Sequence, residues 1–209
     1  KAGSNEQKIG DFYATCTDEA KREAEGAKPL APYLARIDKV ADVKGLGGLV
    51  TEFHKAGLPA IFSFGSLPDF KNSSMVIAAA GQGGLSLPSK DYYTKTDERS
   101  VKIRADFVQH VTNMFQLLGD TPEQAAKNAQ TVMGIETRLA AGSRDPVQLR
   151  DPATQYNIKT AAELAKLTPN FSWADYLSGL GLQKDMSVNI AHPEFFEGAN
   201  KLLVEVPVA

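Results

Sequence analysis

The chain contains one cysteine and three histidines, and this scarcity limits the chemistry that it can carry. Cys16 has no second cysteine with which to form a disulfide inside the chain, and a lone cysteine indicates neither a reducing nor an oxidising compartment. None of His54, His110 and His192 has another histidine four positions away, the spacing with which one helix presents two ligands to zinc. The sequence therefore predicts no metal ligand and no catalytic residue.

The chain also lacks a charge excess and a long apolar run, and we expect any signal or anchor of a parent protein to lie upstream of these residues. Its 23 Lys and Arg residues nearly balance 25 Asp and Glu residues, so electrostatics do not favour nucleic acid or an anionic membrane as a partner. No apolar run approaches the roughly 18 residues of a membrane-spanning helix. We therefore expect no nucleic-acid contact and no membrane contact from this segment, whose composition is that of an ordinary globular domain.

Sequence motifs of nucleotide-binding proteins and serine hydrolases are incomplete in this chain. The glycine-rich stretches 45–48 and 81–84 complete neither the dinucleotide-binding nor the phosphate-binding loop, and no serine lies in a Gly-x-Ser-x-Gly elbow. Glu136 or Asp91 could serve as an acid or base in an independent enzyme, but no converging set of reactive side chains accompanies either residue. We expect ordinary loops at both glycine-rich stretches.

A helical periodicity of apolar residues runs through most of the chain. The first predicted helix has an apolar face with the spacing i, i+3, i+4 and i+7. This face consists of Ile9, Phe12, Tyr13 and Cys16. One interpretation of Cys16 is therefore a small buried apolar side chain.

Two long helices are predicted in the second half of the chain. The first covers residues 97–118 and stops at Gly119. The second begins at Thr121, where Thr-Pro-Glu-Gln forms a capping box with proline at the first helical position, and another capping box at Thr160 begins a shorter helix. Glu136 lies on the otherwise apolar face of the second long helix. A buried carboxylate usually pairs with lysine or arginine, so we expect such a partner for Glu136.

β-Structure is predicted in only a small part of the chain. The short apolar segments 60–64 and 75–79 flank a turn-rich stretch and predict one small hairpin. Residues 188–190 predict a further short strand. We therefore predict a single, mainly α domain over residues 1–209, with many helices and one small β-hairpin.

The most specific string in the chain is Gln-Gly-Gly-Leu-Ser-Leu-Pro-Ser-Lys-Asp-Tyr-Tyr at residues 82–93. It resembles the Gln-x-x-Leu-Gly-Leu-Pro-x-Arg-Asp-Tyr-Tyr run of the neprilysin-family zinc metallopeptidases, with Ser86 and Lys90 as departures. Further segments are similar to the family's landmarks in the same order, at residues 8–19, 28–30, 149–152, 156–157 and 169–173. Several ordered matches are much harder to obtain by chance than one, and they cover nearly the whole chain.

The resemblance implies the fold and function of one part of such an enzyme. Neprilysin-like enzymes have two largely helical lobes around a cavity in which a zinc-activated water attacks the peptide bond. Their His-Glu-x-x-His zinc motif is absent from this chain, so the chain resembles a fragment, the smaller non-catalytic lobe without the catalytic half. The resemblance implies that the parent is a zinc metalloendopeptidase, and that this lobe binds no zinc, supports the catalytic lobe and restricts access to the cavity.

The resemblance also implies partners and a compartment. The expected partners are the catalytic lobe of the same parent chain and the peptide substrates, in a periplasmic, secreted or membrane-anchored, and so extracytoplasmic, location. In secreted relatives a cysteine at the position of Cys16 pairs with one in the later part of the chain, so a disulfide to a segment outside these residues is the alternative to a buried thiol. The alternative function is a stand-alone helical binding module without catalysis.

Overall fold

The computed structural model describes residues 2–208 and shows a mainly helical chain with a little β-structure, as predicted. The contacts between residues divide the chain into two compact units, Lys1–Asp38 and Lys39–Ala209. Between residues 2 and 38, the first unit contains helices and turns and no strand. The second contains the predicted hairpin, both long helices and the hydrophobic core.

The N-terminal unit consists of three short helices and a 3₁₀ turn. These are α1 (Asn5–Thr17), α2 (Glu19–Glu25), the turn Lys28–Leu30 and α3 (Ala31–Ile37). The side chain of Ser4 caps α1, and that of Asp18 caps α2. No residue between 2 and 38 is buried. The predicted first helix is confirmed. The interpretation of Cys16 as a buried thiol is wrong, because its side chain is exposed.

The larger unit contains the remaining helices and all the strands. In chain order they are α4 (Val43–Lys55), β1 (Phe62–Pro68), β2 (Val76–Gln82), α5 (Asp91–Thr94), α6 (Glu98–Leu117), α7 (Pro122–Gly142), 3₁₀ turns at Gln148–Arg150 and Pro152–Gln155, β3 (Ile158–Lys159), α8 (Ala161–Leu167), α9 (Trp173–Gly179), β4 (Val188–Ile190) and α10 (Pro193–Glu205).

The predicted hairpin is half of a four-stranded sheet. The strand order is β1-β2-β4-β3, with β1 antiparallel to β2, β2 parallel to β4, and β3 antiparallel to β4. The hairpin and the short strand at 188–190 are confirmed, although both hairpin strands extend further toward the C-terminus than predicted. The sequence pattern missed β3, because a two-residue strand is too short to show alternation.

The two long helices begin as predicted, at Glu98 and Pro122. The two predicted capping boxes differ in how many of their hydrogen bonds form. Thr121 accepts a hydrogen bond from the Gln124 N–H, but the Gln124 side chain donates to Asn128, so the capping box at this helix is only half formed. At Thr160 both hydrogen bonds of the box to Glu163 are present. Helix α7 then packs against both α6 and α10.

The core of the larger unit is built around a cluster of aromatic rings. The ring of Phe62, at the start of β1, lies 5.4–5.7 Å from those of Phe171, Trp173, Tyr176 and Phe196, measured between centroids. Trp173 follows the capping Ser172 and donates its indole N–H to the Thr168 hydroxyl at 2.8 Å. Edge-on and tilted rings at these separations stabilise a core beyond simple burial. The hairpin, α9 and α10 are thereby held together.

Candidate functional site

The signature loop, residues 82–93, has two glycines directly after Gln82 because the backbone of another segment passes close to it. A Cβ atom on Gly84 would lie 2.7 Å from the Ile61 carbonyl oxygen, and one on Gly83 would lie 3.0 Å from the Phe62 Cα. Gly84 also has a φ of 69°, which glycine adopts without strain. Ile61 has a φ of 50° within a tight turn in which the Phe62 N–H donates to Ala60 at 2.5 Å. The glycines therefore let the signature loop pack directly on this turn.

The middle of the signature loop is bound to the buried carboxylate of Glu136, on α7. The Ser86 N–H donates to Oε2 at 3.0 Å and the Ser86 hydroxyl donates to Oε1 at 2.7 Å. The Tyr93 hydroxyl also donates to Glu136, and it accepts the Leu87 N–H at 2.9 Å. Burial, together with the hydrogen bond to Glu136, raises the pKa of Tyr93.

The prediction of a lysine or arginine partner for Glu136 is therefore wrong. Within residues 2–208 no ion pair to Glu136 is present, and neutral donors of the loop take the place of a cation. Only 7% of the residue is exposed. The hydrogen bonds from Ser86 and Tyr93 satisfy both oxygens of this buried carboxyl group. Since these donors are part of the fold, Glu136 serves to hold the loop.

The two ends of the signature loop bind the C-terminal end of α7. The side-chain amide of Gln82 donates through Nε2 to the Arg144 carbonyl oxygen at 3.0 Å and accepts the Arg144 N–H at Oε1 at 2.8 Å. The Lys90 ammonium donates to the Ser143 carbonyl oxygen at 2.9 Å. Ser143 is the C-cap of α7 and Arg144 follows it, so both contacts hold the loop to the segment directly after the helix. The loop is thus fixed to α7 at Gln82, Ser86, Lys90 and Tyr93.

His192 connects the start of this loop to α10. Its Nδ1 accepts the Gln82 N–H at 3.0 Å, so the proton of the neutral ring lies on Nε2. That Nε2 is buried and has no hydrogen-bond partner within residues 2–208. Burial, with a smaller effect of the Arg144 guanidinium, lowers the pKa of His192, and Glu194 opposes this shift. Arg144 in turn binds the Glu194 carboxylate and Thr154.

The other residues considered for chemistry are separated from one another. His54 binds the Tyr176 hydroxyl at 2.7 Å and the Ala60 carbonyl oxygen at 2.9 Å, whereas His110 is exposed on α6. Asp91 forms an ion pair with Lys95 one helical turn away. In the part of the chain that the structure describes, no three His, Cys, Asp or Glu side chains are grouped as metal ligands. The structure therefore brings together no reactive group in these residues. What it does bring together is the set of contacts that hold the signature loop to α7, which we call the clamp on α7.

The chain as a whole matches a known protein family. The model of peptidase family M13 matches residues 1–209, and the family model is that of its N-terminal region. The chain belongs to peptidase family M13, the neprilysin family.

This M13 chain is similar to Neprilysin-3 of Drosophila melanogaster, with 25% identity over 96% of the chain and 28% of that protein. It is 29% identical to human endothelin-converting enzyme 1, over 83% of the chain and 23% of that protein. Among solved structures it resembles the Mycobacterium tuberculosis zinc metalloprotease Zmp1 in complex with inhibitor. The TM-score is 0.88 and the identity 30%, over 99% of this chain and 32% of that one.

The M13 chain therefore spans between about a quarter and a third of the length of these relatives. PepO from Lactobacillus rhamnosis, 17% identical with a TM-score of 0.73, shares the fold. None of the helices between residues 2 and 208 has the length and apolar character needed to cross a membrane.

Proposed function

We propose that this chain is the smaller, non-catalytic lobe of a neprilysin-like zinc metalloendopeptidase. The observation that carries the proposal is its membership of family M13 over residues 1–209, combined with the lack of a grouped set of metal ligands within 2–208. The zinc and the peptide hydrolysis then belong to the rest of the parent chain. The proposed role of this lobe is to restrict access to the peptide-hydrolysing cavity and to support the catalytic lobe, in an extracytoplasmic enzyme.

The exposed apolar face of α1 supports the role in binding the rest of the parent. Ile9, Phe12 and Tyr13 are 69%, 73% and 68% exposed, although their spacing is that of a helix with a packed face. Adjacent exposed apolar side chains of this size commonly mark an interaction surface. In this proposal, the catalytic lobe of the same parent chain covers that face.

The clamp on α7 supports the role in restricting access. A wall that excludes folded proteins has to resist deformation, and α7 is bound to the signature loop at both its middle and its C-terminal end. The aromatic cluster at the centre of the same core holds the hairpin to α9 and α10. Close packing of this kind resists deformation.

Cys16 fits a disulfide to a segment outside these residues. It is exposed, is the only cysteine of the chain and lies on the apolar face of α1. A second cysteine in the later part of the parent would join α1 covalently to that part. Such a bond is typical of extracytoplasmic proteins.

The gene sequence and a purified parent enzyme test the proposal. We expect a His-Glu-x-x-His motif downstream, and a parent that binds zinc and cleaves short peptides in a chelator-sensitive way. The 209-residue chain alone should do neither. A stop codon directly after Ala209 would favour the stand-alone binding module, and chelator-sensitive activity of the isolated chain would contradict the proposal.

Restriction of access has its own experiment. The parent should cleave a free peptide far faster than the same peptide displayed on a tightly folded host protein. Glu136→Ala, which releases the signature loop, should reduce this discrimination, whereas Glu123→Ala on the exposed N-terminal turn of the same helix should preserve it. Equal cleavage of the free and displayed peptides by the unmodified parent would exclude a restricting role.

A further inference from the structure

Strand β1 is a long edge strand without the usual protection. It forms one edge of the sheet, and the other edge, β3, has only two residues. The seven residues of β1 carry no charge, and Ser63, Gly65 and Ser66 are exposed. Natural edge strands are commonly kept from pairing by short length, charged side chains, bulges or a covering element. β1 has only Pro68 at its end as such a device.

The pairing with β2 shows which backbone groups of β1 are directed outward. The Asp69 N–H donates to the Met75 carbonyl oxygen at 2.9 Å, so this pair is hydrogen-bonded. In an antiparallel ladder, hydrogen-bonded pairs alternate with pairs whose N–H and C=O groups point away from each other. Counting back from Asp69, Phe64 and Ser66 belong to the second kind. Their N–H and C=O groups therefore face the open edge.

The far side of β2 confirms this alternation. Ala80 is opposite Phe64, and its carbonyl oxygen points away from β1, where it accepts the Ala191 N–H at 2.9 Å. Pro68, two residues beyond Ser66, is also on the outward-facing set, which is the position where an edge strand tolerates the missing N–H of proline. No hydrogen bond to the Phe64 or Ser66 backbone from elsewhere in residues 2–208 is present.

We propose that the outer edge of β1 binds an extended peptide as an added strand, through the backbone N–H and C=O groups of Phe64 and Ser66. The inference rests on the proposed function, and the peptide is a substrate of the parent enzyme. Strand addition recognises the peptide backbone. Because β1 carries no charge, the edge accepts peptides of either charge and selects for an extended conformation.

The edge is already ordered, so a peptide does not have to organise it. The Phe64 ring packs on Tyr176 with 5.2 Å between centroids. At the other end of β1, the Tyr156 hydroxyl donates to Asp69 at 3.2 Å, and the Lys71 ammonium lies 4.6 Å from the centre of the Tyr156 ring. Both ends of the strand are thus fixed to the larger unit. A preformed edge lowers the entropic cost of binding.

The experiment compares a long and a short peptide that share one cleavage site, using the full-length parent. Ser66→Pro removes the outward N–H without removing a bond to β2, because that N–H does not face β2. We expect the KM for the long peptide to rise about threefold to tenfold relative to that for the short one, the effect of losing one or two backbone hydrogen bonds. Ser66→Ala, which keeps the N–H, should not show this increase.

A second measurement uses the unmodified parent and so does not depend on the folding of a variant. A long peptide that is N-methylated at alternate residues outside the cleavage site loses the donors on one of its edges. One of the two alternating patterns should raise its KM by a similar factor, and the other should not. Equal KM values for both patterns and the unmodified peptide would overturn the proposal.

The outcomes separate this inference from the proposed function. A parent that cleaves both peptides but shows the same ratio of KM values with Ser66→Pro would overturn strand addition and leave the peptidase role intact. A parent without peptidase activity would contradict both. A ratio that changes with enzyme concentration would show that a second copy pairs with β1, which also contradicts the peptide as occupant.

Discussion

The two compact units have similar helical patterns in sequence and opposite burial in structure. Phe12 on α1 is 73% exposed, whereas Phe195 on α10 is fully buried, although each lies on a helix with a clear apolar face. The N-terminal unit has no buried residue between 2 and 38, while the larger unit has a continuous core that includes fourteen buried hydrophobic residues. The periodicity of apolar residues therefore identifies a face that is suited to packing. It does not identify what packs there.

The largest difference in stability between the two units is expected for two matched phenylalanine substitutions. Phe195→Ala should lower the free energy of unfolding by about 3–5 kcal/mol, because it removes a buried ring and leaves a cavity. Phe12→Ala should change it by no more than about 0.5 kcal/mol, since the side chain is exposed. Denaturant titration of both variants provides the measurement. A loss of several kcal/mol for Phe12→Ala would show that α1 packs on a core.

Features that depend on neighbouring residues in the sequence could be predicted, whereas features that depend on distant residues could not. Helix starts at Thr121 and Thr160 depend on residues within one turn, and the structure has helices at both. The partners of Glu136 lie 43 and 50 positions away in the chain, so no local pattern shows them. Ser86 and Tyr93 could have been considered as donors, because both lie in the specific string. The exposure of Cys16 depends on the absence of a packing surface, which periodicity does not report.

A second matched pair concerns buried and exposed carboxylates in the two units. Glu136→Ala leaves the Ser86 N–H, the Ser86 hydroxyl and the Tyr93 hydroxyl without their acceptor, so we expect a loss of about 2–4 kcal/mol in unfolding free energy. Glu23→Ala, at an exposed position of α2, should change stability little. Denaturation curves would show the difference. Similar small losses for both variants would mean that the signature loop is held without Glu136.

A third difference is confined to the larger unit, because residues 1–38 contain no histidine. Since the folded state lowers the pKa of His192, the unfolded chain binds its proton more readily. The contribution of neutral His192 to stability is therefore complete above about pH 6.5 and is lost as the pH falls below that value. Protonation would also remove the Nδ1 acceptor for the Gln82 N–H.

The measurement for His192 is unfolding free energy between about pH 7.5 and 5. His192→Gln should flatten the decrease toward low pH. His110→Gln should keep the decrease, because His110 is exposed on α6. An unchanged pH profile in His192→Gln would exclude His192 as its cause. Hydrogen exchange should place the acid-sensitive amides around Gln82 and α10.

The smallest effect on stability is expected for Cys16, whose exposed side chain is accessible to reagents but contributes little to the free energy of unfolding. Cys16→Ser should change the unfolding free energy by no more than about 0.5 kcal/mol, because the side chain is exposed and packs against little. A thiol reagent should label Cys16 quickly and completely in the folded 209-residue chain. In the parent enzyme from its own compartment, the proposed disulfide should block labelling until a reductant is added. Labelling of the isolated chain only after denaturation would show that Cys16 is a buried thiol. It would also remove the support for a disulfide between α1 and a later part of the parent.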